Sequence, residues 1–369
     1  MKKILFLIDS LAGGGAERAL VNLVESMDKN SYDITVQTIY DIGIYKDKLD
    51  KRIKYKTCGL PVIRGMNYLF KFIPAKILHK FLIKDNYDLE IAFLEGISTK
   101  IISGAPLDVP KIGWVRIDIA QHPKSTVCYF SKNAMLKAYK KFTKIAFVGE
   151  DSRKSFVDVT GIKDNLYVVR NVVKNDEMIH MSEESVNIEH KFHPILLSVG
   201  RLEPQKGYDR LCKVHKRLIQ EGYNYTLVIM GKGSQKDQII QFIKENHLED
   251  SLILLDFQKN PYKYMRYCDW FVSSSRYEGF SSVIREAIIL EKPIIATDCS
   301  GVREVLGNDE YGIVAENSEI GLYNSIKYVL DNNYKLQQHY TEKSKIRKRI
   351  FDYKLSVEKN LDFILSVLS

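Results

Sequence analysis

Apolar positions along the chain alternate between short unbroken runs of strand length and longer segments in which they recur every three or four residues. The first run, residues 3–9, leads into Ser10-Leu-Ala-Gly-Gly-Gly15 and then into Ala16, Ala19, Leu20, Leu23, Val24 and Met27 at a helical period. Strand, glycine-rich turn and helix open a parallel α/β unit. Further runs at 33–40, 89–94, 111–115, 125–129 and 144–148 can complete a first sheet.

Residues 175–193, polar, acidic and histidine-bearing, break the period and read as a linker. The alternation then resumes, with strands expected at 195–199, 225–230, 251–255, 270–273, 293–297 and 313–314 and helices at 209–220, 236–245, 261–268 and 281–290. The last segment, 345–369, carries Leu355, Val357, Leu361, Ile364, Leu365 and Leu368 and reads as helical. No fixed-period repeat interrupts this order. The expectation is two consecutive doubly wound α/β domains, with ligands held in a cleft at the carboxyl ends of their strands.

At 369 residues and 45% hydrophobic, the chain can bury a core in each of two domains. Cys58, Cys128, Cys212, Cys268 and Cys299 lack paired short spacings, so neither a disulfide framework nor a thiolate metal cluster is indicated, and a reducing cytosolic setting fits. The first apolar run is too short for a signal peptide and is closed by Asp9, and no segment approaches the ~20 apolar residues of a membrane span.

The net charge of +9 sits in one half. Residues 1–180 hold 29 Lys+Arg against 20 Asp+Glu, whereas residues 181–369 hold 26 of each. An N-terminal half facing an anionic surface follows, either nucleic acid or membrane. Two lysine-interleaved apolar stretches favour membrane: 68–84, with Lys71, Lys76, Lys80 and Lys84, and 132–144, with Lys137, Lys140 and Lys141. Ordinary helices with solvated lysines are the alternative. No recognised nucleic-acid motif accompanies the charge.

Three loops carry candidate chemistry. Gly13-Gly14-Gly15-Ala-Glu17 can point backbone N–H groups and a helix N-terminus at a phosphate, although it matches neither common nucleotide fingerprint and could be a packing turn. Arg201 and Lys206, in a Pro- and Gly-restricted loop after a strand, can clamp a diphosphate, with surface charge as the blander account. Glu278 precedes a helix and Glu286 follows two turns along it, about 12 Å of helix rise away, suited to sugar and ribose hydroxyls and too far apart for a two-carboxylate hydrolase. Dipole complementation by Glu278 and a solvated Glu286 would also account for them. The histidines form no metal array; His122 stands beside Pro123 without an assigned partner.

Taken together, Ser198-Val-Gly-Arg-Leu-Glu-Pro-Gln-Lys-Gly207, Met230-Gly-Lys-Gly233, Asn260-Pro-Tyr262, Ser273 to Phe280 through Glu286, and Pro293 to Asp298 leading to Gly301 and Glu304 resemble retaining glycosyltransferase family 4. The resemblance spans nearly the whole chain. It implies an α/β GT-B fold of two Rossmann-like doubly wound domains facing each other across a cleft. Residues 1–175 would receive the acceptor, 176–345 would hold the nucleotide sugar, and 346–369 would form a helix packing back toward the first domain.

The resemblance further implies Glu278, Arg201 and Lys206 as catalytic groups. Gly14, Gly15, Gly231, Gly233, Phe257, Gln258, Gly279, Phe280, Ser281 and Glu286 join them in donor binding, with Gly15, Arg116 and Asp118 toward the acceptor. Asn171 resembles the family's interdomain-junction asparagine. Arg116 stands near where many relatives carry histidine, and Glu150 where many carry serine. The implied reaction is metal-independent, cofactor-free, retaining transfer of a hexose or N-acetylhexosamine from a UDP-sugar by front-face attack. The implied acceptor is a polyprenyl-diphosphate-linked saccharide at the inner face of a bacterial membrane, in surface-polysaccharide assembly. A soluble or protein acceptor, a phosphorylase and a non-catalytic sugar-nucleotide-binding scaffold are the competing classes.

Overall fold

The computed structural model describes residues 1–63, 65–120, 126–278 and 281–368, the side chain of Asn67 excepted. They form two compact units, Met1–Val173 with Tyr353–Ser369, and Lys174–Asp352. The chain thus returns to the first unit seven residues later than the expected terminal segment begins, and 346–352 stay with the second.

The first unit is built on a seven-stranded sheet ordered β3-β2-β1-β4-β5-β6-β7. Its strands are β1 (Lys2–Ile8), β2 (Tyr32–Thr38), β3 (Lys54–Thr57), β4 (Leu89–Ala92), β5 (Lys111–Val115), β6 (Lys144–Phe147) and β7 (Leu166–Val168). All ladders are parallel. Ile4 to Ile8 and the apolar residues of β4 and β5 are fully buried, as strands covered by helices on both faces require. The edge strands β3 and β7 were not expected: Lys54-Tyr-Lys-Thr57 and Leu166-Tyr-Val168 are short and largely half-exposed, so they leave no apolar run to read. The strand expected at 125–129 is absent over its described part. Residues 126–131 run as turns that sink Cys128 and Tyr129 into the core; Ser125 lies outside the described residues.

The terminal helix Tyr353–Leu365 belongs to this unit. Phe363 packs edge-on against Trp114 at 5.9 Å and tilts on Tyr167 at 5.4 Å, while Asn360 Nδ2 donates to the Arg170 carbonyl at 2.9 Å. The stretch 345–369 is not one helix, because helix Asn333–Arg347 ends and a 3-10 turn, Lys348–Phe351, intervenes.

The second unit contains β8 (Ile195–Val199), β9 (Thr226–Met230), β10 (Leu252–Leu255), β11 (Trp270–Ser273), β12 (Ile294–Thr297) and β13 (Ile313–Ala315). They form a parallel sheet ordered β10-β9-β8-β11-β12-β13. The expected linker is a helix over Asn175–Ser182. Asp176 and Glu177 occupy its first turn, favourable to the helix dipole, and it buries Met178 and packs on helix Tyr262–Tyr267, contacts a local polarity pattern cannot show. Among the described residues no helix is long and apolar enough to cross a membrane.

Candidate donor site

In the second sheet the strand order reverses between β8 and β11, and in doubly wound folds ligands bind at the carboxyl ends of the strands at such a switch point. The loop after β8 carries Arg201 and Lys206; the loop after β11 carries Glu278. Gly207 makes their approach possible. It has φ +65°, and a Cβ there would lie 2.3 Å from the Ser274 carbonyl oxygen, so no larger residue fits without moving one loop. Ser274 Oγ closes the contact by donating to the Lys206 carbonyl at 2.8 Å.

A buried arginine fixes the β11 loop from beneath. Arg210, on the inward face of helix Tyr208–Gln220, donates to the carbonyls of Ser274 at 2.7 Å and Ser275 at 2.9 Å and to Asn317 Oδ1 at 2.8 Å. Thr297 Oγ1 donates to Ser275 O at 2.5 Å, and Asn317 Nδ2 to Arg276 O at 2.8 Å. On the outer side, Arg276 forks onto Asp209 at 2.8 and 2.7 Å, a pairing that holds the Asp209 carboxyl below the usual carboxylate range. None of these braces was expected from the sequence. The available signal was Arg210 itself, a cation placed among Leu211 and Val214 on an apolar helix stripe.

Above this scaffold Lys206 Nζ meets Glu278 Oε1 at 2.5 Å, with side chains only 14% and 11% exposed. Ser275 Oγ donates to the same carboxylate oxygen at 2.7 Å. Arg201 is exposed and its Nη2 donates to Gln205 Oε1 at 3.1 Å, while Gln205 Nε2 donates to the Tyr277 carbonyl at 3.0 Å. Cys299 feels this pair: burial pushes its thiol up to about 12, with Glu278 adding and Lys206 opposing. It stays a protonated thiol at neutral pH.

Glu286 lies buried in the second turn of helix Ser282–Ile289. Ser281 caps that helix, and its buried Oγ has no hydrogen-bond partner among the described residues. Gly279 and Phe280 lie outside the described residues. Gly231 and Gly233, after β9, are required by close packing: a Cβ would lie 1.9 Å from Gly200 O and 2.4 Å from Leu202 O, respectively. Phe257, 38% exposed with Lys232 Nζ 5.1 Å from its ring centroid, and Gln258 follow β10. The expected donor residues of this unit that are described thus follow four adjacent strands, β10, β9, β8 and β11.

The remaining expected residues lie in the first unit. Gly14 caps helix Gly15–Ser26, and Glu17 folds back so that its Oε2 lies 2.4 Å from where a Gly14 Cβ would be. Arg116 is buried and engaged by its own unit. Its guanidinium lies 3.7 Å from the Phe93 ring centroid and donates to Phe93 O at 2.9 Å and to Asn171 Oδ1, and its backbone N–H donates to Glu95 Oε2 at 2.9 Å. Asp118, also buried, accepts from Ala120 N at 3.0 Å and Ser155 Oγ at 2.5 Å. Glu150 is exposed and pairs with Arg153 at 2.7 Å. His122 lies outside the described residues. Among the described residues no group of three or more His, Cys, Asp or Glu could hold a metal ion.

Residues 181–347, the sheet that bears these loops, match the family Glycosyl transferases group 1. A Campylobacter jejuni protein, N-acetylgalactosamine-N,N'-diacetylbacillosaminyl-diphospho-undecaprenol 4-alpha-N-acetylgalactosaminyltransferase, is 29% identical over 95% of this chain and 96% of its own. The capsular polysaccharide biosynthesis glycosyltransferase CapM of Staphylococcus aureus is 24% identical over 62% of each chain. Among solved structures, Anabaena Alr3699/HepE in complex with UDP and glucose superposes with a TM-score of 0.75 at 19% identity, covering 99% of this chain and 100% of that one. The chain has the GT-B fold of such solved glycosyltransferases, its residues 181–347 match the Glycosyl transferases group 1 family, and it is similar over most of its length to a bacterial glycosyltransferase.

Proposed function

We propose that this protein transfers a hexose or N-acetylhexosamine from a UDP-sugar, with retention and without a metal ion, to a polyprenyl-diphosphate-linked saccharide at the inner face of a bacterial membrane, in surface-glycan assembly. The observation that carries the reading is the Lys206–Glu278 pair at the switch point of the second sheet, 2.5 Å apart and mostly withdrawn from water. A cation and a carboxylate held together there can separate onto the two ends of one ligand, the ammonium to a diphosphate and the carboxylate to sugar hydroxyls.

In this reaction the bond between the anomeric carbon and the β-phosphate oxygen breaks, and UDP departs with the electron pair. Lys206 and Arg201 stabilise the charge that develops on the phosphate. The acceptor hydroxyl attacks the face that the phosphate leaves, and its proton passes to a phosphate oxygen, so no enzymic nucleophile is required. Glu278 orients the transferred sugar, Glu286 holds the ribose, and Phe257 and Gln258 border the nucleoside. The acceptor half of the reading rests on the basic excess of residues 1–180 and on the name of the Campylobacter relative, whose acceptor is undecaprenyl-diphosphate-linked.

The test is incubation with a panel of UDP- and GDP-sugars and polyprenyl-diphosphate-linked saccharides in the presence of a chelator, with the lipid product read by mass spectrometry. A mass gain of one hexose or N-acetylhexosamine from a UDP-sugar is expected. Product from GDP-sugars alone, or none from any donor, would sink the donor assignment. Transfer restricted to water-soluble acceptors would sink the acceptor assignment.

A further inference from the structure

The first unit carries a surface that donor chemistry leaves unused. Tyr68 and Leu69 on helix Met66–Phe70, Phe72 just beyond it, and Ile77 and Phe81 on helix Ala75–Leu82 are all exposed. Phe130, from the turns after β5, is 73% exposed, and its ring meets that of Phe72, 65% exposed, at 6.3 Å. Large apolar side chains grouped on a surface mark a place where something docks. The surrounding charge says what. Residues 65–84 carry four lysines and residues 126–144 five, and neither stretch contains Asp or Glu. Aromatic side chains set in an uncompensated cationic field fit the interfacial layer of an anionic bilayer, with rings among the acyl-chain ends and lysines at the phosphates.

These two strips, separated by about forty residues of sequence, are held together by one buried side chain. Lys100, on helix Ile97–Ile102, is 6% exposed. Its Nζ donates to Phe70 O at 2.6 Å and to Cys128 O at 2.8 Å. The first carbonyl ends the helix that leads into Phe72, and the second lies two residues before Phe130. Burial pulls the Lys100 ammonium below the usual lysine range, and both of these acceptors are main-chain carbonyls. A buried cation held this way costs desolvation that an apolar residue would avoid. What it adds is a fixed distance between two loops.

We infer that Lys100 is a positioning residue that joins the helical segment 66–82 and the 126–131 turns into one bilayer-docking face, with Phe72 and Phe130 as its paired anchors. The inference rests on the membrane reading above and extends it to a second segment and to an internal brace. Phe130 stands outside the two lysine-rich stretches from which membrane contact was expected.

The experiment uses the full chain with vesicles of phosphatidylcholine alone or mixed with phosphatidylglycerol. Wild type is expected to sediment with the mixed vesicles, and the Phe72→Ala/Phe130→Ala variant, altered only at exposed positions, about tenfold less. Phe130→Trp supplies a local reporter whose emission should shift to the blue on mixed vesicles. That shift should be lost when Lys100→Met is added and kept with Lys100→Arg, while circular dichroism and UDP release from the donor remain those of the parent. Wild-type sedimentation in the double alanine variant, or none by wild type, overturns the docking face. An undiminished blue shift with Lys100→Met overturns the role of Lys100. Failure of the transferase reading would appear separately, as absence of UDP release from wild type.

Discussion

Lys206 Nζ and Glu278 Oε1 stand 2.5 Å apart, joining loops that leave neighbouring strands β8 and β11. In the proposed reaction a donor divides this pair, so each partner restrains the other until it binds. Glu278→Gln keeps the shape and releases the lysine. The variant should bind UDP, which offers no sugar hydroxyls, as tightly as wild type or several-fold more tightly, measured by titration calorimetry, while turnover falls. Lys206→Ala should instead weaken UDP binding and lower the unfolding free energy by about 1–3 kcal/mol, because it leaves a mostly buried carboxylate without its cation. Weaker UDP binding by Glu278→Gln would contradict the restraint.

Gly207→Ala tests the approach of the two loops. With φ +65° and a Cβ placed 2.3 Å from Ser274 O, the substitution combines left-handed strain with a backbone clash. The expected loss is about 2 kcal/mol or more in denaturant unfolding, with weakened UDP binding. Wild-type stability would mean that the loops stand farther apart than described.

Arg116 tests whether a residue expected at the acceptor has a scaffolding task. Its guanidinium stacks on Phe93 and bonds the Phe93 carbonyl and Asn171. Lysine can neither stack nor fork in this way, so Arg116→Lys should destabilise the protein by about 2–4 kcal/mol. An unchanged melting temperature with a raised acceptor KM would return Arg116 to acceptor binding.

Asp9 predicts a pH dependence. Burial pushes its carboxyl up to about 7, with Ser98 opposing and Glu95 and Glu17 adding. The folded chain therefore binds an extra proton between about pH 4 and pH 7, and this group's contribution to stability declines as pH rises through that window. Asp9→Asn can still accept the hydroxyl of Ser98. Its stability relative to wild type should be unchanged near pH 4 and grow, to at most about 4 kcal/mol, by pH 8. Parallel stability curves across that range would contradict it.

Much of the fold was legible because strands covered on both faces must be apolar throughout. The runs at 111–115, 195–199 and 270–273 coincide with β5, β8 and β11, and 236–245 coincides with helix Lys236–Glu245. The edge strands β3 and β7 lack that signature, since half their surface stays wet. Helix Asn175–Ser182 was illegible because its apolar partner is helix Tyr262–Tyr267, far along the chain. Arg201, Lys206 and Glu278 could be picked out as charged residues in loops after strands. The pairing of Lys206 with Glu278, the brace from Arg210 and the interior engagement of Arg116 depend on residues brought together from distant segments, which no local pattern encodes.

The proposed glycosyl transfer depends on the Lys206–Glu278 pair. The most direct measurement is the initial rate of UDP release from UDP-sugars, with acceptor present, by wild type, Lys206→Ala and Glu278→Gln, each first shown to be folded by circular dichroism. Wild type should release UDP, with both variants slower by about 100-fold or more. Rates in either folded variant equal to wild type would contradict the account.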